Sequence, residues 1–375
     1  MIRKIYLKDM HISCPLNQLS KAVSLAERLS GKKESLPVLS CFHIEARKND
    51  CVVRATNLEA GVEVTVLCKV EKPGVIAVPV ALFTQVIKSA RGETVEMELV
   101  EGTLSIKTKG GKANVKTVAH EEFPTIPTSQ KEGQVTLNKK LLTEGITSVV
   151  YAAAQSTIRP EFASVYIHQE GQSIYFTATD SFRLAEKKML LPQSVEIPET
   201  LLPTKNALEM IHVLELLDAD EVQMVVEDGQ VSVESESVRF VSRVIDATFP
   251  NYQAIIPKTF VTESIVLKQD LVSALRKARF FAHTTQQVSF HLYPSKKIFT
   301  LTASHQDTGE VADTIDATLK GDDLDINFNI GYVADGLGSI PDDSVSLYFA
   351  GPGKPLVVRG VTDSTFTYLV MPLNR

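Results

Sequence analysis

Few residues of this chain stand at the spacings that catalysis requires. Its eight histidines are scattered, without the HExxH arrangement of a zinc protease. No GxSxG, P-loop or GxGxxG segment precedes a helical pattern. Asp180 and Arg183 are open to interpretation as part of an active site, but an aspartate after Ala178-Thr179 is better explained as the cap of a turn, bonded to the backbone. We therefore expect a protein that is not an enzyme.

The four cysteines, Cys14, Cys41, Cys51 and Cys68, all lie near the start of the chain and include no CxxC pair. A disulfide framework or a zinc site typically shows tighter spacing, so we interpret them as free buried thiols in a reducing compartment and expect no metal or cofactor. The N-terminal segment has basic residues but no apolar stretch, and eighteen apolar residues never run together. These features favour a cytoplasmic protein with no membrane contact.

The charge balance limits how the chain can meet nucleic acid. It has 39 basic and 45 acidic residues, a formal net charge of −6. Such a balance argues against a protein that coats nucleic acid through a uniformly positive surface. Any contact with DNA must therefore be local.

Three short, related sequence motifs recur along the chain at a nearly fixed interval. Ala55-Thr56-Asn57 precedes Ala178-Thr179-Asp180-Ser181 by 123 residues, and Ala303-Ser304-His305 follows by 125. The steps Phe123-Pro124 and Phe249-Pro250 are 126 residues apart. A fixed period is typical of a duplicated unit, and a unit of this size can bury its own core. The predicted domains are residues 1–129, 130–259 and 260–375.

Hydrophobic periodicity predicts the same elements in each copy. Alternating runs such as 165–178 predict strands, and Glu170-Gly171 predicts a turn between two of them. Apolar residues at three- and four-residue steps predict two amphipathic helices per copy. The helical positions are Leu16, Leu19, Val23, Ala26 and Leu82, Phe83, Val86, Ile87; Leu141, Leu142, Ile146, Val149, Val150 and Leu208, Ile211, Leu214, Leu217; and Leu271, Leu275, Ala278 and Tyr332, Val333, Leu337. The fold class is α+β, with antiparallel sheets and helices gathered on one side.

Several segments resemble the bacterial sliding clamp family, the β subunits of DNA polymerase III. They stand in order and at the family's spacing: Arg159-Pro160, ATDSFRLA at 178–185, VRFVSRVIDATFPNY at 238–252, SHQDTGE at 304–310 and YLVMPLNR at 368–375. The resemblance implies three clamp domains forming half of a ring. Two chains would join head to tail into a homodimer whose twelve helices line a hole for duplex DNA. Such a ring tethers the polymerase without catalysis, so tight DNA contacts are unnecessary.

A lining that slides should touch phosphates through long cations and avoid reading bases. The candidates are Lys21, Arg28, Lys33, Lys88, Arg91, Lys205, Arg276, Lys277 and Arg279. Of these, Lys33, Lys88 and Lys205 fall where the family places basic residues near DNA. The alternative is that they are solvated helix faces.

The family also implies a peptide pocket between the second and third domains. Its partners there are the polymerase III α subunit, the clamp loader δ subunit and other proteins with clamp-binding motifs. Carried over by position, the lining comprises Phe162, Thr179, Ser181, Phe182, Arg183, Leu184, Pro250, Ile255, Leu369, Val370, Met371, Pro372 and Leu373. Met and Leu form an adaptable apolar trough. The alternative is that these residues belong to ordinary domain cores, which fits Leu184 and Val370 better than Met371 and Leu373.

Opposite charges at the two ends of the chain suggest how the ring closes. We expect a basic strand of copy one to face an acidic strand of copy three in the partner chain, with two phenylalanines buried at the seam. The residues are Lys107, Lys109 and Lys112; Glu310, Asp313 and Asp316; and Phe280 and Phe281. The alternative is that the charges keep edge strands from aggregating.

Some positions depart from the family pattern. Phe182 stands where the family usually has His, Ala254 where some members have Arg, and Asn374-Arg375 ends the chain differently. These departures leave the preferred partner motif open. The segment before Met10 is interpreted as an N-terminal extension. A monomeric three-domain scaffold that binds peptides without encircling DNA is the remaining alternative to a clamp.

Overall fold

The computed structural model describes residues 9–31, 36–128, 133–191, 195–227, 229–282 and 286–373. They form two compact units. The first unit comprises Met1–Thr143 and Leu208–Val244, and the second comprises Glu144–Ala207 and Ile245–Arg375.

Each predicted copy contains two α-helices, as the periodicity indicated. They are α1 (Leu16–Ala26), α2 (Val80–Ser89), α3 (Lys139–Thr147), α4 (Thr204–Leu216), α5 (Lys268–Ala282) and α6 (Ile330–Leu337). The helix predicted to reach Val150 ends at Thr147 instead, since Val149 leaves the helical conformation and Val150–Ala152 forms a separate 3-10 turn. Glycine and β-branched residues at 145–150 favour this early end. In the described part of the chain, no helix is long and apolar enough to cross a bilayer.

The strands are antiparallel wherever the described residues pair. In the first unit they are β1 (His11–Pro15), β2 (Cys41–Ala46), β3 (Asp50–Thr56), β4 (Ala60–Leu67), β5 (Lys69–Lys72), β6 (Gly74–Pro79), β7 (Thr94–Val100), β8 (Thr103–Thr108), β9 (Gly111–Lys116), β10 (Val135–Asn138), β15 (Glu221–Glu227), β16 (Gln230–Glu234) and β17 (Val238–Arg243). In the second unit they are β11 (Ser164–Glu170), β12 (Ser173–Thr179), β13 (Arg183–Leu190), β14 (Thr200–Pro203), β18 (Thr262–Leu267), β19 (Gln287–Tyr293), β20 (Ile298–His305), β21 (Gly309–Thr314), β22 (Ala317–Gly321), β23 (Leu324–Asn329), β24 (Ser344–Phe349), β25 (Leu356–Gly360) and β26 (Phe366–Val370). The predicted α+β class with antiparallel sheets is confirmed.

Two sheets in each unit hold these strands. The first unit has the sheets β5-β1-β7-β8-β9 and β10-β15-β16-β17-β4-β3-β2-β6. The second has β14-β11-β12-β13-β26-β25-β24-β18-β22 and β21-β20-β19-β23. The two long sheets each run from one sequence copy into the next, through β17 beside β4 and β13 beside β26. Backbone hydrogen bonds therefore join adjacent sequence copies within one sheet. As a result, the three copies do not form three separate compact units.

The first two of the three recurring motifs, at 55–57 and 178–181, fold into the same turn. Thr56 and Thr179 each accept a hydrogen bond from the N–H two residues later, at 3.1 Å. Those later residues, Leu58 and Ser181, both have φ of 77°, in the left-handed region. In the third copy the turn differs, with Nδ1 of His305 3.2 Å from the N–H of Asp307.

Gly336 in α6 is required by close packing. A Cβ built there would lie 2.2 Å from Cδ1 of Tyr368, a fully buried residue of β26. The helix therefore forms with a glycine that lowers its propensity because the sheet approaches its backbone at this point.

Replacing Gly336 with alanine should lower the free energy of unfolding by about 1–3 kcal/mol, because the clash costs more than the gain in helix propensity. Chemical denaturation would measure the change. The matched control is Gly338→Ala, where the nearest atom to a new Cβ is 3.7 Å away and the effect should be near zero or slightly stabilising. Equal effects in the two variants would contradict this explanation.

Candidate peptide-binding site and charged edges

A tight turn presents Phe182 at the surface of the second unit. Oδ1 of Asp180 accepts hydrogen bonds from the N–H groups of Phe182 and Arg183, at 2.9 and 3.0 Å. The hydroxyl of Thr179 closes the turn by donating to the Arg183 carbonyl at 2.6 Å. The prediction that Asp180 caps a turn is thus confirmed. Phe182 is 60% exposed, so the turn holds a large apolar side chain in solvent.

Arg183 is buried and fully engaged within the unit. Its guanidinium contacts Asp180 at 3.0 Å, Asp335 of α6 at 2.5 Å and the Tyr151 carbonyl at 2.7 Å. It also lies over the ring of Tyr332, 4.5 Å from the centroid. Arg183 therefore fixes β13 against α6, and its side chain has little surface left to offer a ligand.

A buried apolar cluster lies beside this turn; it contains three of the predicted pocket residues, and a fourth packs against it. Leu184 and Leu369 are directly opposite each other where β13 pairs with β26. Phe162 joins them in the core, and Met371 packs against it while staying partly exposed. The other buried members are Leu201, Phe249, Tyr252 and Val357. Sequence reasoning missed these four, although Phe249 and Tyr252 stand within the quoted segment at 238–252.

The other predicted pocket residues fall into a buried group and a group that is exposed or partly exposed. Thr179 and Val370 are buried. The exposed or partly exposed positions are Ser181, Phe182, Pro250, Ile255, Met371, Pro372 and Leu373. The N–H of Met371 donates to the Phe182 carbonyl at 2.8 Å, which places the turn beside the C-terminal segment. Phe182 and Ile255 are predicted pocket residues whose apolar side chains remain exposed, at 60% and 53%.

The titratable groups near the cluster are arranged for structure. The Tyr252 hydroxyl donates to Glu186 at 2.6 Å, and burial raises the pKa of Glu186 above its ordinary value. Burial likewise raises the pKa of Tyr151 and Tyr252, so both phenols stay protonated, and the Tyr151 hydroxyl accepts a hydrogen bond from the Ser339 hydroxyl at 3.2 Å. These hydrogen bonds hold buried polar groups inside the unit and so support the cluster structurally.

Four of the nine candidate DNA-contacting residues have acidic partners within the chain. Lys21 lies 2.5 Å from Asp218, Arg28 2.9 Å from Glu209 and Lys88 2.6 Å from Glu27, while Lys277 pairs with Asp313. Arg91, Lys205, Arg276 and Arg279 are exposed, and no ion pair involves them among the described residues. Lys33 lies outside the described residues.

The residues predicted at the dimer seam lie on two sheet edges. In the described residues, β9 pairs only with β8, and β21 pairs only with β20. Lys109 is exposed in the turn before β9 and Lys112 is exposed on β9, while Glu310 is exposed on β21 and Asp316 just after it. Lys107 already faces Glu96 and Glu98 at 3.6 and 3.8 Å. Phe280 is 75% exposed on α5, and Phe281 is partly exposed.

Three of the four thiols meet in the first unit, which their spacing did not indicate. The Sγ atoms of Cys14, Cys51 and Cys68 all lie within 4.8 Å of one another, while Cys41 lies in a separate apolar cluster. Hydrogen bonds from Cys14 and Cys51 lower the pKa of the Cys68 thiol. All four cysteines are free in the structure; Cys14, Cys41 and Cys51 are buried, and Cys68 is partly exposed.

Known proteins match this chain along nearly its full length. Family models for the N-terminal, central and C-terminal domains of the DNA polymerase III beta subunit match residues 10–127, 136–251 and 253–374. A beta sliding clamp of Staphylococcus epidermidis is 24% identical over 369 residues, covering 96% of each chain.

Solved structures of a DNA polymerase III beta subunit and of a DNA polymerase sliding clamp have the same fold as this chain. The DNA polymerase III beta subunit of Thermotoga maritima superposes with a TM-score of 0.93 at 26% identity, covering 98% of this chain and all of the other. The Bacillus subtilis DNA polymerase sliding clamp gives 0.91 at 23% identity, with 98% and 99% covered. This chain belongs to the DNA polymerase III beta subunit family, the bacterial beta sliding clamps, which are non-catalytic processivity factors with a three-domain α+β fold.

Proposed function

We propose that two copies of this chain close head to tail into a ring around duplex DNA, hold the replicative polymerase on its template, and bind linear motifs of partner proteins. The main support is the pair of unpaired sheet edges with opposite charge. The edge near β9 carries Lys109 and Lys112, and β21 carries Glu310. Exposed edges template strand pairing between chains unless something covers them.

The edge pairing follows from simple chemistry. If β9 paired directly with β21 of the partner chain, the backbone N–H and C=O groups that each edge strand leaves open would be hydrogen-bonded. Opposite charges favour this pairing and disfavour β9 with β9 or β21 with β21. Because β9 and β21 are different strands, the contact is heterologous, and two such contacts close a ring of two chains.

For DNA, the cations that have no ion-pair partner among the described residues are the better contacts. Arg276 and Arg279 on α5, Lys205 on α4 and Arg91 after α2 are exposed, so they can reach phosphates without first breaking an intramolecular pair. The paired Lys21, Arg28, Lys88 and Lys277 would have to exchange partners. A ring with few free cations suits sliding, because enclosure replaces adhesion.

For partner proteins, the buried cluster forms a floor and the exposed residues form a rim. Phe162, Leu184 and Leu369 are held rigid, which keeps the shape of the surface fixed. Phe182, Ile255 and Met371 project around it and would contact an apolar side chain of a partner motif. We propose the polymerase III α subunit, the clamp loader δ subunit and other motif-bearing proteins as the partners, with the domains divided at 129 and 259, and the cytoplasm as the site of action.

The test is topological. The clamp, loaded by its clamp loader, should remain on nicked circular DNA through gel filtration at a salt concentration that releases ordinary DNA-binding proteins. Cutting the circle once should release it, because a ring slides off a free end. Retention on the linear DNA would contradict enclosure. A solution mass near the single-chain 41.2 kDa would instead favour the monomeric scaffold.

A further inference from the structure

The cluster of three thiols lies between the two sheets of the first unit. Cys14 belongs to β1 in the five-stranded sheet, and Cys51 belongs to β3 in the eight-stranded sheet. Cys68 directly follows β4, where its N–H donates to the Asn49 carbonyl at 3.1 Å. The three sulfurs therefore come from three separate segments that pairing and packing hold in place.

The spacing of the sulfur atoms suits one metal ion. Zinc binds thiolate sulfur at about 2.3 Å, so ligand sulfurs around a single ion lie about 3.8–4.0 Å apart. Sγ of Cys14 is 3.9 Å from Sγ of Cys51, and all three sulfurs lie within 4.8 Å of one another. Shifts below 1 Å would bring the third sulfur into place. A disulfide, by contrast, would use only two of the three thiols and require contact near 2.05 Å.

We propose that Cys14, Cys51 and Cys68 form a three-thiolate site for a single thiophilic ion of the zinc(II) type. Thiolate ligands select soft and borderline ions of this kind over magnesium or calcium. Cys14 and Cys51 are fully buried, whereas Cys68 is partly exposed and gives the ion a path from solvent. The fourth position of a tetrahedral ion faces this open side, where a water molecule completes it. Binding releases the remaining thiol protons to solvent and joins β1 to β3.

Cadmium(II) is the probe, because its bond to thiolate gives an ultraviolet charge-transfer band. The full chain, reduced and stripped of metal by a chelator, is titrated with cadmium chloride and then with zinc chloride in competition. We expect one ion per chain, displacement of cadmium only by a large excess of zinc because thiolates prefer the softer ion, and a higher melting temperature with either ion. Cys68→Ser should weaken binding more than about 10-fold, since even outer partners of metal ligands contribute 10- to 100-fold.

Cys41→Ser is the matched control, because Cys41 is a buried thiol of the same unit that is outside the cluster. It should bind cadmium like the wild type. A Cys51→Ser variant should also lose binding, but Cys51 is buried and its replacement can prevent folding. Cys68→Ser decides the question in that case, since the Cys68 side chain is partly exposed and its replacement leaves the core intact. Wild-type affinity in Cys68→Ser, absence of saturable binding, or a Cys14–Cys51 disulfide in protein isolated without oxidant would each overturn the proposal. None of these results depends on ring formation.

Discussion

A Met371→Lys variant should bind a peptide carrying the clamp-binding motif of the polymerase III α subunit about 30- to 100-fold more weakly than the wild-type chain. Met371 packs against the cluster formed by Phe162, Leu184 and Leu369. A lysine of similar length would place an ammonium group where the peptide's apolar side chain is expected, at a cost of about 2–3 kcal/mol. Since each 1.4 kcal/mol is tenfold in affinity, the loss is large. Fluorescence anisotropy of a labelled peptide measures it.

Leu190→Lys is the control for this experiment. Leu190 is an apolar residue of β13, the strand that carries Leu184, and is 75% exposed without belonging to the cluster. It should keep wild-type affinity. Phe182→Ala should show a smaller loss than Met371→Lys, because Phe182 contributes to the rim alone. If Met371→Lys remained folded by circular dichroism and bound the peptide like the wild type, the proposed site would be wrong.

Reversing the charge of the β9 edge, with Lys109→Glu and Lys112→Glu together, should convert the proposed dimer into monomers. Glutamates at these positions would face Glu310 across the proposed contact, and like charges placed opposite each other cost several kcal/mol. Sedimentation velocity should show the mass fall from about twice 41.2 kDa to a single chain. Adding Glu310→Lys to the same chain should restore part of the association, because the charges become complementary again.

The opposite edge of the same sheet supplies the control. Lys69→Glu with Lys72→Glu changes two exposed lysines of β5 by the same amount of charge. That variant should remain dimeric. A dimer that survives the β9 reversal, or that falls apart equally in the β5 control, would show that the seam lies elsewhere or that net charge alone governs association.

Local patterns in the sequence determined most of the secondary structure. Leu16, Leu19, Val23 and Ala26 repeat at helical steps, and α1 spans Leu16–Ala26. The turn at Asp180 was also predictable, because a carboxylate bonds to N–H groups two and three residues away whatever surrounds it. The threefold period, together with the quoted segments, was sufficient to identify the family. The helix and the turn were predictable because they depend on contacts between residues that are close in the chain.

The tertiary structure decided what depends on distant segments. It buried Arg183 against Asp335, which are 152 residues apart, and so removed most of that side chain from the surface on which the family pattern placed it. It continued two sheets across the copy boundaries and brought Cys14, Cys51 and Cys68 together from segments whose spacing suggested no site. Periodicity shows which face of an element is buried but not which other element covers it, since strand pairing and packing choose partners by the shape and hydrogen bonding of the whole fold.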